Sequence, residues 1–139
     1  MEGMLLNLEM ERRLIDEAMA AQKKAYAPYS GFHVGAALLG VNGVIYRGCN
    51  VENLSYGLTI CAERVALCRA VADGHQQFEA MAIVTASQEP ASPCGACRQC
   101  MAEFNADLPL ILGNLEGRVV RYSLRELFPR AQTGILGRE

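Results

Sequence analysis

The chain has 139 residues, with 13 Lys+Arg against 15 Asp+Glu and a formal net charge of −2. That length suits one domain over residues 1–139, because a second unit with its own core would not fit. A composition 51% hydrophobic and 20% charged excludes a mostly disordered chain, and the acidic balance lacks the basic face of a nucleic-acid domain.

Met4 to about Tyr26 reads as a helix, with Leu14, Ile15, Ala18 and Met19 on one face. Ala27-Pro28 ends it, because the residue before proline avoids helical backbone. Phe32–Leu39 and Val44–Gly48 read as strands joined through Asn42-Gly43, a hairpin signal. Val51–Ile60 reads as loop. Cys61–Ala72 reads as a helix stopped by Asp73-Gly74, and Ala80–Ala86 as a buried strand. A loop over Gln88–Pro93 leads into a helix over Cys94–Phe104, with Pro93 at its start. Pro109–Leu112 and Val119–Ser123 are strands, and Ser123–Leu127 is a short helix with Ser123 and Glu126 spaced as a capping box. This alternation predicts one mixed sheet with helices on both faces.

The apolar run Val34–Val41 is too short to cross a bilayer, which takes about 20 residues. Glu2 stands where a signal peptide has its positive region, and Asn7, Glu9 and Glu11 interrupt any apolar stretch. The expectation is a cytoplasmic protein with no membrane partner. In a reducing compartment its six cysteines are metal ligands or buried thiols rather than disulfides.

Two stretches carry the chemistry: Cys61-Ala62-Glu63-Arg64, and Pro93-Cys94-Gly95-Ala96-Cys97-Arg98-Gln99. Both open predicted helices. Cys94 and Cys97 stand three apart, so both thiols can leave the same helical start toward one ion. Facing helix N-termini favour thiolates, the metal-binding form. Three thiolates on Zn²⁺ leave a fourth position open, which is the layout of a catalytic rather than a structural site. Glu63, in the first turn after Cys61, can reach the space beside the metal and move protons without ligating it.

With Ala25–Ala37, containing Pro28-Tyr29-Ser30-Gly31-Phe32, and Gly48-Cys49-Asn50-Val51-Glu52-Asn53, these stretches make four ordered blocks. The chain resembles the small cytidine deaminases, of the type that forms homotetramers with three Cys zinc ligands. The likeness runs from Ala25 to about Ala131. It implies a three-layer α/β/α fold around a mixed, about five-stranded sheet. It implies one zinc per chain on Cys61, Cys94 and Cys97, and Glu63 as proton shuttle. It further implies Asn50 and Glu52 on the ribose, Phe32 on the pyrimidine ring, and the Ala62 N–H on the base carbonyl. Arg64 would hydrogen-bond the ligand sulfurs, Gln99 would support them, and Tyr56 would reach a neighbouring subunit's site. The implied reaction is hydrolytic deamination of cytidine and deoxycytidine to uridine and deoxyuridine plus ammonia, in pyrimidine salvage.

Family members often end in Leu-Pro-x-Ala-Phe, whose Phe closes over the base. Here the run is Phe128-Pro129-Arg130-Ala131-Gln132, so closure falls to Phe128, to Ile135-Leu136, or to another arrangement. Other readings stay open on the sequence. Cys100 continues the Cys94/Cys97 spacing and with Cys61 could close a structural four-Cys site. A free base, a modified nucleoside or an antibiotic nucleoside could replace cytidine, although Asn50 and Glu52 argue for a ribose. Editing of RNA or DNA is disfavoured by the net charge. Cys49, Cys68 and Cys100 otherwise read as buried small hydrophobes.

Overall fold

Asn7 starts the first helix, its side chain accepting from Met10 N at 2.7 Å, and α1 runs Leu8–Gln22. It is shorter than the sequence predicts at both ends; Met4 lies outside residues 6–132, which the computed structural model describes. At its C-terminal end a tertiary ladder wins over helical continuation. Tyr26 donates its N–H to Asn50 O at 2.9 Å and accepts from Glu52 N at 2.8 Å. The segment before Pro28 is thereby tied to the stretch that carries Asn50 and Glu52.

The remaining elements follow the predicted order, with ends moved by a few residues. Strands β1 (Val34–Gly40) and β2 (Ile45–Cys49) form the expected hairpin, with Gly43 at φ +86° in its turn. A single 3₁₀ turn, Tyr56–Leu58, interrupts the predicted loop. Then come α2 (Ala62–Ala72), β3 (Phe78–Thr85), α3 (Gly95–Ala102), β4 (Pro109–Asn114), β5 (Val119–Ser123) and α4 (Leu124–Leu127). The Ser123/Glu126 capping box is present.

The sheet order is β2-β1-β3-β4-β5. Only β3 and β4 pair in parallel, as the intervening α3 requires, and the other neighbours are antiparallel. The central strands alternate between two cores. Ala36, Leu38, Met81, Ile83, Leu110 and Leu112 pack with α2, α3 and Leu124 on one face. Ala37, Leu39, Ala80, Ala82, Val84 and Ile111 pack against Leu14 and Ala18 of α1 on the other. The result is the expected three-layer α/β/α architecture with five strands.

Two glycines set how closely the helices approach. A Cβ on Gly35 would strike Ala18 O and lie 2.5 Å from Gln22 N of α1. A Cβ on Gly48 would strike Ala62 O and lie 2.5 Å from Ala66 N. The first turn of α2, where Cys61 and Glu63 sit, therefore rests directly on the backbone of β2.

Candidate active site

Cys61 and Cys94 are the N-cap residues of α2 and α3, so each thiol stands at the positive end of a helix. Cys94, not Pro93, is the boundary residue of α3; its sulfur accepts from Cys97 N at 3.4 Å. Cys61 Sγ and Cys94 Sγ are 3.9 Å apart, and Cys94 Sγ and Cys97 Sγ 3.5 Å. All three sulfurs lie within 4.8 Å of one another. A tetrahedron with Zn–S arms of 2.3 Å has edges of about 3.8 Å, and the Cys61–Cys94 and Cys94–Cys97 separations match it. All six cysteines are free. Among the described residues Cys100 is not part of this sulfur group; it faces the α2–α3 groove instead, which removes the closed four-Cys arrangement. Cys68 is exposed rather than buried, because its turn of α2 borders the same groove.

The electrostatics divide the thiols. A hydrogen bond from Cys97, with further help from Arg64 and Cys94, holds the Cys61 thiol down to about 5 despite its burial. Cys97, hydrogen-bonded to that thiolate and buried, is pushed far up. Arg64 Nη2 stands 3.7 Å from Cys61 Sγ, and the sulfurs keep its guanidinium firmly charged. Its Nε is buried and finds no partner among the described residues. A zinc ion on three thiolates carries a net charge of −1, and Arg64 offsets it.

Cys61 and Cys94 border a cavity of 290 Å³ at the end of the sheet where β3 finishes at Thr85 and β1 begins at Val34. Crevices beyond strand carboxyl ends are the usual ligand sites of α/β sheets. The volume falls just below the roughly 300–1,000 Å³ of small-molecule pockets. Glu63, Ala62, Phe32, Asn50, Glu52 and Tyr56 all line it with Cys61 and Cys94. Glu63 is 5% exposed. Burial first, and the Cys61 thiolate next, push its carboxyl up to about 7, against the pull of its own backbone N–H and Arg64. A carboxyl poised there can take up and return protons near neutral pH. Ala62 opens α2, so its N–H has no partner within the helix.

Glu52 is buried and held by three donors. Tyr29 N and Ser30 N reach Oε1 at 2.9 and 3.1 Å, and the Ser30 hydroxyl donates to Oε2. The Ser30 hydroxyl, above all, keeps the Glu52 carboxyl below its ordinary range. Asn50 clamps the neighbouring backbone: Oδ1 accepts from Val34 N at 2.9 Å and Nδ2 donates to Phe32 O at 2.8 Å. Among the described residues one N–H and one lone pair of the amide have no partner and can meet a ligand.

Two expectations, for Gln99 and for the cover over the base, meet a different surrounding. Gln99 donates its amide to Gln132 O at 2.8 Å rather than to a sulfur, on the wall of the α2–α3 groove. Phe128 packs against the core below α3 and does not line the cavity; Ile135-Leu136 lie outside the described residues. Tyr56, on the 3₁₀ turn, stands at the rim of this chain's own cavity. Sequence reasoning passed over Ser30 and Thr59, both of which line the cavity. Thr59 Oγ1 is buried without a partner among the described residues. A second, more apolar groove of 640 Å³ between α2 and α3 is larger, but it holds neither the sulfur triad nor Glu63.

Residues 8–111 match the family described as the cytidine and deoxycytidylate deaminase zinc-binding region. This chain belongs to that family. It is 51% identical over 126 residues to a cytidine deaminase of Halalkalibacterium halodurans, covering 89% of this chain and 96% of the relative. It is 50% identical over 120 residues to one from Sporosarcina psychrophila, covering 86% and 88%. The crystal structure of cytidine deaminase from Burkholderia pseudomallei superposes with a TM-score of 0.85 at 49% identity, covering 87% of this chain and 98% of that one. The family is zinc-binding, and the three-cysteine group supplies one zinc site per chain.

Proposed function

We propose that the chain hydrolyses cytidine and deoxycytidine to uridine and deoxyuridine, releasing ammonia, as a single catalytic domain over residues 1–139. The observation that carries this is the placement of buried Glu63 with a group of three sulfurs that lie within 4.8 Å of one another, at a cavity that also holds Asn50 and Glu52. Zinc held by Cys61, Cys94 and Cys97 supplies a Lewis acid that lowers the pKa of water to about 7. Glu63 takes the proton from the attacking water and delivers it to N3 of the base. It then moves a proton to the amine departing from C4. Water's oxygen remains as the new carbonyl, and the amine leaves as ammonia.

Phe32 packs on the pyrimidine ring and the Ala62 N–H meets the base carbonyl. Asn50 and Glu52 meet the sugar hydroxyls. The charged Glu52 disfavours a nucleotide's phosphate, which selects nucleosides and suits a role in pyrimidine salvage. Arg64 holds the ligand thiolates, and Gln99 supports them only as part of α3, its amide being tied to Gln132 O. The protein works in the cytoplasm as a homotetramer with sites shared between subunits. Supporting this assembly, Leu54, Tyr56 and Leu58 leave 82%, 64% and 65% of their surface exposed beside the cavity rim, a patch that a second copy would cover.

The test is ammonia release from cytidine, deoxycytidine, cytosine and cytidine monophosphate, with sedimentation of the same sample. The two nucleosides are expected to turn over well, the monophosphate and the free base poorly, and the protein to sediment as four chains. Preference for the monophosphate or the free base would overturn the substrate assignment, and a fully active monomer would overturn the shared site.

A further inference from the structure

Ser30 connects the sugar side of the cavity to the base side through one atom. Its hydroxyl donates to Glu52 Oε2 and accepts from Phe32 N at 2.9 Å. The geometry depends on Gly31, whose φ of +72° folds the chain back over one residue. A carboxylate offers about four acceptor positions. Two on Oε1 are filled by Tyr29 N and Ser30 N, and one on Oε2 by the Ser30 hydroxyl. Among the described residues Glu52 therefore keeps one acceptor position, and it lies on the oxygen that Ser30 orients. The two N–H donors share Oε1 and so leave the carboxylate able to pivot about it. The Ser30 O–H is the bond that stops the pivot.

We propose that Ser30 is a positioning residue for substrate binding: its hydroxyl aims the last free acceptor of Glu52 and fixes that carboxylate to the backbone of Phe32. Sugar and base contacts are thereby set in one rigid arrangement before the substrate arrives, which lowers the ordering cost of binding. The proposal rests on the reading of Glu52 as the sugar contact. Ser30 is itself exposed at the cavity mouth, and no core packing depends on its side chain.

The experiment compares Ser30→Ala, Ser30→Thr, Glu52→Ala and the Ser30→Ala/Glu52→Ala double variant of the zinc-loaded protein, using cytidine. Thermal midpoint and zinc per chain are measured on each. Ser30→Ala is expected to raise KM roughly 10–100-fold, the range for a lost hydrogen bond to a charged group, with a smaller change in kcat and zinc unchanged. Ser30→Thr, which restores the hydroxyl, is expected to return KM to within about 3-fold of the parent. In the Glu52→Ala background the serine substitution is expected to change KM less than about 3-fold, because its effect passes through the carboxylate. A KM unmoved by Ser30→Ala while Glu52→Ala raises it overturns the proposal alone. So does full multiplication of the two effects, or failure of threonine to restore KM in a folded, zinc-loaded variant. A KM unmoved by Glu52→Ala overturns the sugar reading, and the proposal with it. If Glu52→Ala does not fold, the contrast between alanine and threonine at position 30 still decides.

Discussion

Gly48→Ala tests whether the zinc site depends on the seating of α2. The added methyl would strike Ala62 O and stand 2.5 Å from Ala66 N and 3.1 Å from Ala66 Cα, all backbone. Ordinary contact begins near 3.4 Å, so the first turns of α2 must move outward by about 1 Å. Overpacking of this kind destabilises by roughly 1–3 kcal/mol. At about 2.1 cal/mol/K per residue, that lowers the thermal midpoint of a chain of 139 residues by roughly 3–10 °C. The same shift carries Cys61 and Glu63 with it. Zinc sites tolerate ligand displacements of about 0.2 Å, and a 1 Å misplacement at a reacting group lowers rate about 10²-fold. Gly35→Ala is the control: its methyl meets α1 on the opposite face of the sheet, at Ala18 O and Gln22. Zinc per chain and cytidine turnover are measured for both, well below their midpoints. Gly48→Ala is expected to lose zinc and at least 10²-fold in turnover, and Gly35→Ala to lose only stability. Equal loss of zinc in the two variants at equal midpoints, or full retention in Gly48→Ala, would refute the argument.

Three further outcomes are expected. Arg64→Ala removes the cation 3.7 Å from Cys61 Sγ and should weaken zinc retention or turnover roughly 10–100-fold, measured by competition with a chelator. Zinc binding at pH 7.5 should release protons, because Cys97 is pushed far above neutrality in the metal-free protein while Cys61, held at about 5, is already ionised; affinity should therefore fall as pH is lowered, and calorimetry in buffers of different ionisation enthalpy counts the protons. Arg121→Ala breaks the paired 2.6 Å contacts to Glu11 between β5 and α1, far from the cavity. It should lower stability by about 1 kcal/mol, since the arginine is mostly exposed, with kcat and KM for cytidine unchanged; a loss of activity at full zinc would count against the proposed boundaries of the site.

Features governed by short-range spacing were legible in the chain. The Asn42-Gly43 turn, the Ser123/Glu126 box and the helix starts at Cys61 and Cys94 each depend on residues within a few positions, and each is where the pattern put it. The cysteine triad was legible because two of its members share one helical turn. What the sequence concealed are contacts made across longer separations. Tyr26 leaves the helix because Asn50 and Glu52 capture its backbone. Ser30 is an ordinary turn residue until the fold brings Glu52 to it across 22 positions. Gln99 looked like a companion of Cys97, yet its amide serves Gln132. Phe128 looked available to the cavity, yet the core claims it. In sequence, Gly48 is a weak strand residue; only the approach of α2 gives it a purpose.

The most direct measurement is zinc per chain together with ammonia release from cytidine, made on the parent protein and on Glu63→Gln. About one zinc per chain is expected in both, with rapid turnover in the parent and a loss of roughly 10²–10⁴-fold or more in the variant, the range for removing a positioned acid–base group. Zinc lost along with activity would make Glu63 a ligand or a structural residue. A fully zinc-loaded parent inert toward cytidine and deoxycytidine, or an active Glu63→Gln, would show that the protein is not a deaminase working through Glu63.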